Sequence, residues 1–185
     1  SPPHISDVWE HTLQVVSRME AVISVLHTQY DPDQASNLFL GLAVLRLGRY
    51  REQITQHLDS RISVDRTLRS TLFLAALYHD SAKPITQSRD SNGRIRFLEH
   101  EVLGARLAAH RGQELRLNND EVERLEKVVR HHMRPLLLGH AGQMPTRRAI
   151  FRFYRETGAA GVDICLLSMA DMLATQGVNL PQQDW

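Results

Sequence analysis

Apolar residues recur at three- and four-residue intervals along most of the chain, which is the spacing of one face of an α-helix. In the first stretch this stripe consists of Val8, Val15, Met19, Val22 and Leu26. A second helix is expected to start at Asp31-Pro32-Asp33, to run through 38–45 and to end at Gly48. Further helices are expected over 50–59, 64–83, 99–112, 120–132, 147–157 and 160–176. The pattern therefore predicts an all-α domain of about seven to nine helices.

Polar residues and glycines mark where these helices begin and end. Helix caps are expected at Ser6 or Asp7, Ser63, Asn118 or Asn119, and Thr146. Pro84 is expected to end the helix that begins after Ser63, because proline cannot continue a helix interior. Gly158 and Gly177 follow two predicted helix ends, where a left-handed residue is common.

Residues 86–97 carry the only pattern that favours strands. Asn92-Gly93 is a dipeptide typical of tight turns between paired strands. Ile95 and Phe97 then alternate with polar residues, as one face of a strand would. We expect one small β-hairpin within an otherwise helical fold.

Length and composition indicate one ordinary globular domain spanning 1–185. The chain has 42% hydrophobic and 23% charged residues and a net charge of +1, which does not favour a large nucleic-acid surface. Its single cysteine, Cys165, excludes an internal disulfide and favours a cytoplasmic setting. The longest apolar stretch, 164–174, is too short to span a membrane. The chain starts at Ser1 without Met, so we expect a piece of a longer protein.

The adjacent pair His79-Asp80 is the strongest candidate for chemistry. It follows the apolar run 72–78, and helical spacing places His79 on the face of Leu72 and Ala76. An imidazole and a carboxylate are costly ends for a buried helix, but they are suitable ligands for a divalent metal.

Other titratable groups also lie on apolar stripes. They are His11, His100, His132, His131 at the edge of its stripe, and Asp171 within an apolar helix. Each histidine taken alone is more often a hydrogen-bonded core residue, and a buried aspartate is most often paired with an arginine. Together they favour a common cation, because one metal compensates several buried polar groups at once. The remaining histidines are interpreted as solvated: His4, His27, His57, His110 and His140.

The order His, His-Asp, His, His-His, Asp resembles the HD-domain superfamily of metal-dependent phosphohydrolases. The segments that carry the resemblance lie around His11, over 77–84, over 93–105, over 130–135 and over 167–171. They are most similar to the HD domain of bacterial poly(A) polymerase and tRNA nucleotidyltransferase proteins. The likeness extends over about 6–176, and one departure is Ala82, where that family usually has glycine.

The resemblance implies a single HD-type helical domain and a set of site residues. His11, His79, Asp80 and Asp171 would bind one metal, and His100 with His131 or His132 would bind a second. Lys83 would lie near the substrate phosphate, and Asp80 and Lys83 would act in catalysis. Arg134 and Arg147 are further candidates for phosphate contacts, with a solvated surface as the alternative for each. The cofactor would be one or two transition-metal ions, from Mn, Fe, Ni, Co or Zn.

The expected function is hydrolysis of a phosphate ester of a nucleotide or an RNA end by metal-activated water. One alternative is a non-catalytic module that binds metal or nucleotide, with tRNA bound through a nucleotidyltransferase region outside this chain. Another is a nucleotide-sensing regulatory domain. Asp80→Ala should abolish hydrolysis if the site is catalytic, and it should mainly lower the melting temperature if the metal is structural.

Overall fold

The computed structural model describes residues 8–31, 38–139 and 144–176. The first three helices are α1 (Val8–Leu26), α2 (Leu38–Leu47) and α3 (Arg51–Asp59), with a 3-10 turn at Gly48–Tyr50 leading into the third. Then come α4 (Leu68–Tyr78), the short α5 (Lys83–Thr86), β1 (Gln87–Arg89) and β2 (Ile95–Phe97). The chain continues with α6 (His100–Glu114), α7 (Asn119–His131), the short α8 (Arg134–Leu138), α9 (Arg147–Thr157) and α10 (Ala160–Gln176).

These elements confirm the predicted all-α class. Eight helices of nine or more residues lie in the described ranges, within the seven to nine expected. The predicted hairpin is also present, as two antiparallel strands in which Gln87 pairs with Phe97 and Arg89 pairs with Ile95. Gly93 has a φ of +76° in the connecting turn, a conformation that glycine adopts without a steric cost.

Some predicted helix ends agree with the structure. The Asn118 side chain accepts from the backbone N–H of Glu121, and the Glu121 side chain accepts from the Asn118 N–H, which completes a capping box. Thr146 caps α9 by accepting from the Ala149 N–H. Gly158 ends that helix with a φ of +57°. The positions predicted at Ser6, Asp7, Gly177, His4 and His140 lie outside the described residues.

The predicted start and end of the helix before His79-Asp80 are wrong. It begins at Leu68 rather than after Ser63, because the Ser63 hydroxyl accepts from the Arg66 N–H and closes a local turn instead of starting a helix. It ends at Tyr78, before Pro84 is reached, so that His79 and Asp80 lie in the turn that follows.

The core lies where five helices meet. Helix α6 packs along α7, α1 packs along α10, and α4 packs against α7. The stripe predicted on α1 supplies Val15, Met19, Val22 and Leu26, each with no exposed surface. Burying side chains of this size contributes roughly 1.5–3 kcal/mol each. This core holds the ends of α4, α7 and α10 together, and the polar residues described next lie at those ends.

Candidate metal centre

Asp80 occupies the middle of a buried polar cluster, and each of its two oxygens lies near a different pair of histidines. Its Oδ2 is 3.3 Å from Nε2 of His79 and 3.6 Å from Nε2 of His11. Its Oδ1 is 3.5 Å from Nε2 of His100 and 3.9 Å from Nε2 of His132. Two groups of closely spaced donor atoms therefore share one carboxylate.

Three of these imidazoles are held in the same tautomer. In each, Nδ1 contacts the backbone carbonyl three residues earlier: His79 to Ala76 at 2.7 Å, His100 to Phe97 at 2.8 Å and His132 to Val129 at 2.7 Å. A carbonyl only accepts, so Nδ1 must carry the proton and donate it. The three Nε2 atoms are buried and make no hydrogen bond with the described residues. The Nδ1 hydrogen bonds thus direct each Nε2 into the cluster, the orientation that metal-binding histidines show.

The ends of three helices place these rings. His79 and Asp80 follow α4, and His132 directly follows α7. His100 is the first residue of α6, after Glu99 in a left-handed conformation with a φ of 59°. That conformation costs a non-glycine residue about 1 kcal/mol, and here it turns the chain from the hairpin into the helix that carries His100.

His11 and Asp171 close the cluster on the side of α1 and α10. Nε2 of His11 lies 2.9 Å from Oδ1 of Asp171. The two residues are separated by 160 positions in the chain, and the packing of α1 along α10 brings them together. The Asp171 side chain is 11% exposed and that of His11 is 21% exposed, so this side is the more open one.

The charges of the cluster favour metal binding. Burial opposes ionisation of Asp80, but the neighbouring His79 and Lys83 hold the pKa of its carboxyl well below the usual range. Burial, together with the nearby His79, lowers the pKa of His132 to about 4. At neutral pH the carboxylate is therefore charged and His132 is neutral, which are the protonation states that metal ligands need.

Lys83 lies at the edge of the same cluster. Its Nζ is 2.6 Å from Oδ2 of Asp80, and its side chain is 25% exposed. Ala82, the position at which this sequence departs from the usual glycine, is fully buried with a φ of −91° and a ψ of −6°. An alanine adopts this conformation without strain, so the departure leaves Lys83 in position.

A family model and a curated relative match this chain. The model described as "HD domain" matches residues 43–160. The chain belongs to the HD domain family. The matched range contains His79, Asp80, His100 and His132, while His11 and Asp171 lie outside it and are brought to the same cluster by α1 and α10.

The CC-adding tRNA nucleotidyltransferase of Thermus thermophilus is 40% identical over 108 residues. The match covers 57% of this chain and 23% of that relative, so this HD domain corresponds to about a quarter of the relative's length. Within the described ranges no single helix is both long enough and apolar enough to cross a membrane. Only α9 and α10 taken together reach that length and apolarity, and they are bent by 111° where they meet.

The HD domain does not bring every predicted site residue to the cluster. His131 is half-buried and belongs to neither group of donors, so the structure separates it from its neighbour His132. Burial and the nearby Arg134 lower the pKa of His131. Arg134 pairs with Glu156 and lies over the ring of Phe153.

Arg147 is exposed at the first residue of α9 and belongs to neither group. Phosphate contacts by Arg134 and Arg147 stay predictions.

One polar cluster was missed by the sequence patterns, and it involves a histidine interpreted as solvated. His57 is half-buried, and its Nε2 lies 2.7 Å from Oδ1 of Asp163, whose side chain is 1% exposed. Arg124 also contacts this aspartate, with Nε 2.6 Å from Oδ2. The solvated interpretation of His57 is wrong because its partner lies on α10, 106 residues away. Asp163 stands eight residues before Asp171 in the same apolar helix, and this spacing was a usable signal.

Proposed function

We propose that this HD domain hydrolyses a phosphate ester of a nucleotide or of an RNA end and that it needs a divalent metal to do so. The observation that carries the proposal is the shared carboxylate of Asp80, which faces a different histidine pair with each oxygen. Such an arrangement suits one or two divalent ions. The buried Nε2 atoms of three histidines support it further, since without a cation they lack any partner in the described structure.

The proposed ligands divide into two groups. His11, His79, Asp80 and Asp171 would hold one ion, and Asp80, His100 and His132 would hold a second. Imidazole with carboxylate suits Mn, Fe, Co, Ni or Zn and does not select among them. When bound, such an ion supplies Lewis acidity and lowers the pKa of a coordinated water toward 7.

The remaining chemistry depends on side chains of this chain. Lys83 carries a positive charge beside Asp80 and is partly exposed, so it can reach a phosphate that enters the cluster. There its ammonium would offset negative charge that develops on the phosphoryl oxygens. The Nδ1 hydrogen bonds of His79, His100 and His132 keep these rings oriented, so little reorganisation is needed during the reaction.

A second candidate is a module that binds metal or nucleotide without turnover inside a longer tRNA-processing protein. The observation that favours it is the match to part of a CC-adding tRNA nucleotidyltransferase. In that case tRNA would be a partner of the whole protein through regions outside this chain. A cytoplasmic location also stays a prediction.

The test compares metal-dependent hydrolysis in the wild type and in Asp80→Ala. The protein is stripped of metal and given Mn²⁺, Fe²⁺, Co²⁺, Ni²⁺ or Zn²⁺ one at a time. Hydrolysis is then measured on 2′,3′-cyclic AMP, AMP, a chromogenic phosphodiester and a short RNA. Asp65→Ala is the control, because Asp65 is an exposed aspartate outside the cluster.

We expect turnover that requires metal, is abolished in Asp80→Ala and is unchanged in Asp65→Ala. Bound metal without turnover on any of these substrates, with a lower melting temperature in Asp80→Ala, would favour the non-catalytic module. Turnover that persists in Asp80→Ala would contradict the proposed site.

A further inference from the structure

A cavity lies apart from the metal centre, where α3, α9 and α10 meet. Its volume is about 460 Å³, and none of the proposed metal ligands lines it. Its wall includes His57, whose partner Asp163 stands eight residues before Asp171 on α10. Eight helical residues span about 12 Å, so the cavity is a separate site rather than an extension of the metal centre.

The polar wall of this cavity is held in place from behind. Nε2 of His57 lies 2.7 Å from the buried carboxylate of Asp163 and must donate to it, since a carboxylate only accepts. Arg124 binds the other oxygen of Asp163 at 2.6 Å and donates to the Ala159 carbonyl at 3.1 Å. Only Nδ1 of His57 is left for a ligand, and in the neutral ring it is an acceptor.

A second polar group stands beside His57 on the same face of α3. Gln53 lies four residues earlier, which is one helical turn, and it also lines the cavity. Its amide offers both a donor and an acceptor. The wall therefore presents a short polar edge that is complementary to a ring with adjacent donors and acceptors.

Two tyrosines complete the wall, and the position of one of them is tightly defined. Tyr50 and Tyr154 both line the cavity, together with apolar residues. The Tyr154 ring packs so closely on α10 that a Cβ at Gly161 would lie 2.6 Å from its Cε1. Aromatic rings in a largely apolar wall favour a flat ligand, which stacks on them.

Charge restricts the ligand further. Among the described residues, no Lys, Arg, Asp or Glu lines the cavity, which favours a ligand whose enclosed part is uncharged. Arg49 is next to the wall residue Tyr50, with its guanidinium 4.8 Å from the centroid of the Tyr50 ring. It makes no ion pair with the described carboxylates, and it can contact an anionic group at the entrance.

We propose that this cavity binds the base of a nucleoside or nucleotide. The base stacks on the tyrosines and bonds with Gln53 and His57, while a phosphate, when present, reaches Arg49. An acyl chain would fill the apolar volume but would make no hydrogen bond with Gln53 or His57. The proposal is independent of hydrolysis at Asp80, because it concerns a different cavity.

The experiment measures binding of adenosine, cytidine, AMP and octanoate by calorimetry, with and without a chelator. Gln53→Leu removes the polar edge at an exposed position, and Gln56→Leu on the same helix is the matched control. Losing one hydrogen bond to the ligand should weaken nucleoside binding about tenfold in Gln53→Leu. Gln56→Leu should bind adenosine and cytidine as the wild type does, and the chelator, which removes metal from the Asp80 cluster, should leave this binding unchanged. Arg49→Gln should weaken AMP but not adenosine.

Four results would overturn the proposal: no nucleoside binding at millimolar concentration, equal nucleoside binding in Gln53→Leu and in the wild type, loss of nucleoside binding when the chelator is added, or binding of octanoate alone. Failure of the hydrolysis assay leaves these measurements unaffected, because they need no turnover.

Discussion

Arg124 on α7 and Asp163 on α10 form a buried ion pair, with Nε of the arginine 2.6 Å from Oδ2 of the aspartate. Eight residues later come His132, directly after α7, and Asp171 on α10, which both lie at the Asp80 cluster. The two helices therefore run side by side in the same direction. They carry one polar cluster at the cavity lined by His57 and another at the metal centre.

The Arg124–Asp163 pair should contribute strongly to stability, since removing Arg124 leaves His57 as the one remaining side-chain partner of this buried carboxylate within the described residues. We expect Arg124→Met to lower the free energy of unfolding by about 3–5 kcal/mol, measured by urea denaturation. The double variant Arg124→Met with Asp163→Leu should recover most of that loss. Lys127→Met on the same helix breaks the exposed pair with Glu123 and should cost less than about 1 kcal/mol. Equal costs for the two single variants would contradict the buried pair.

The adjacent histidines at the end of α7 should differ sharply in metal binding. His132 is fully buried with its Nε2 toward Asp80, whereas His131 belongs to neither group of donors. His132→Asn should weaken metal binding by more than the 10–100-fold typical of losing an outer hydrogen-bond partner. His131→Asn should leave metal content unchanged. Elemental analysis and competition with a chromogenic chelator check both, and a reversed order would exclude His132 as a ligand.

Two glycines in helices should respond to alanine in opposite directions. A Cβ at Gly161 would lie 2.6 Å from Cε1 of Tyr154, so Gly161→Ala should destabilise by about 1–3 kcal/mol. A Cβ at Gly41 in α2 would meet nothing within 4 Å, so Gly41→Ala should stabilise by up to about 1 kcal/mol. Thermal melts measure both. Tyr154→Leu should relieve the cost at Gly161, and a cost that persists would assign it to another contact.

Protonation of Glu121 should make the free energy of unfolding depend on pH in the acidic range. Its buried carboxylate accepts from Nη2 of Arg66 at 2.9 Å and from the Asn118 N–H at 2.8 Å. The hydrogen bond from Arg66 lowers the pKa of Glu121 below its ordinary 4.5, against the opposing effect of burial. The unfolded chain therefore takes up this proton first as the pH falls. The resulting stabilisation is fully present above pH 4.5 and is lost as the pH drops through the folded-state pKa.

Glu121→Gln should reduce the slope of unfolding free energy against pH below pH 4.5 by up to about 1.4 kcal/mol per pH unit. Urea titrations between pH 3 and pH 7 give this slope. Glu123→Gln, at a side chain that is 70% exposed on the same helix, is the control. An unchanged slope in Glu121→Gln would show that other groups account for the acid dependence.

Local features of the sequence predicted much of this fold. The capping residues of α7 and α9 and the turn at Gly93 were found because each acts through hydrogen bonds or backbone angles within a few residues. The prediction that Ser63 caps a helix was wrong for a related reason, since a serine hydroxyl can accept a hydrogen bond in a local turn as well as at a helix start.

The sequence by itself determined most of the helices and the inward faces of His79, Asp80, His132 and Asp171, and it predicted that these side chains bind a metal. Only the tertiary structure decided that Asp80 lies between two pairs of histidines, that His131 stays outside and that His57 meets Asp163. The physical reason is that spacing along a helix defines a direction around its own axis. The partner found in that direction depends on how helices from distant parts of the chain pack.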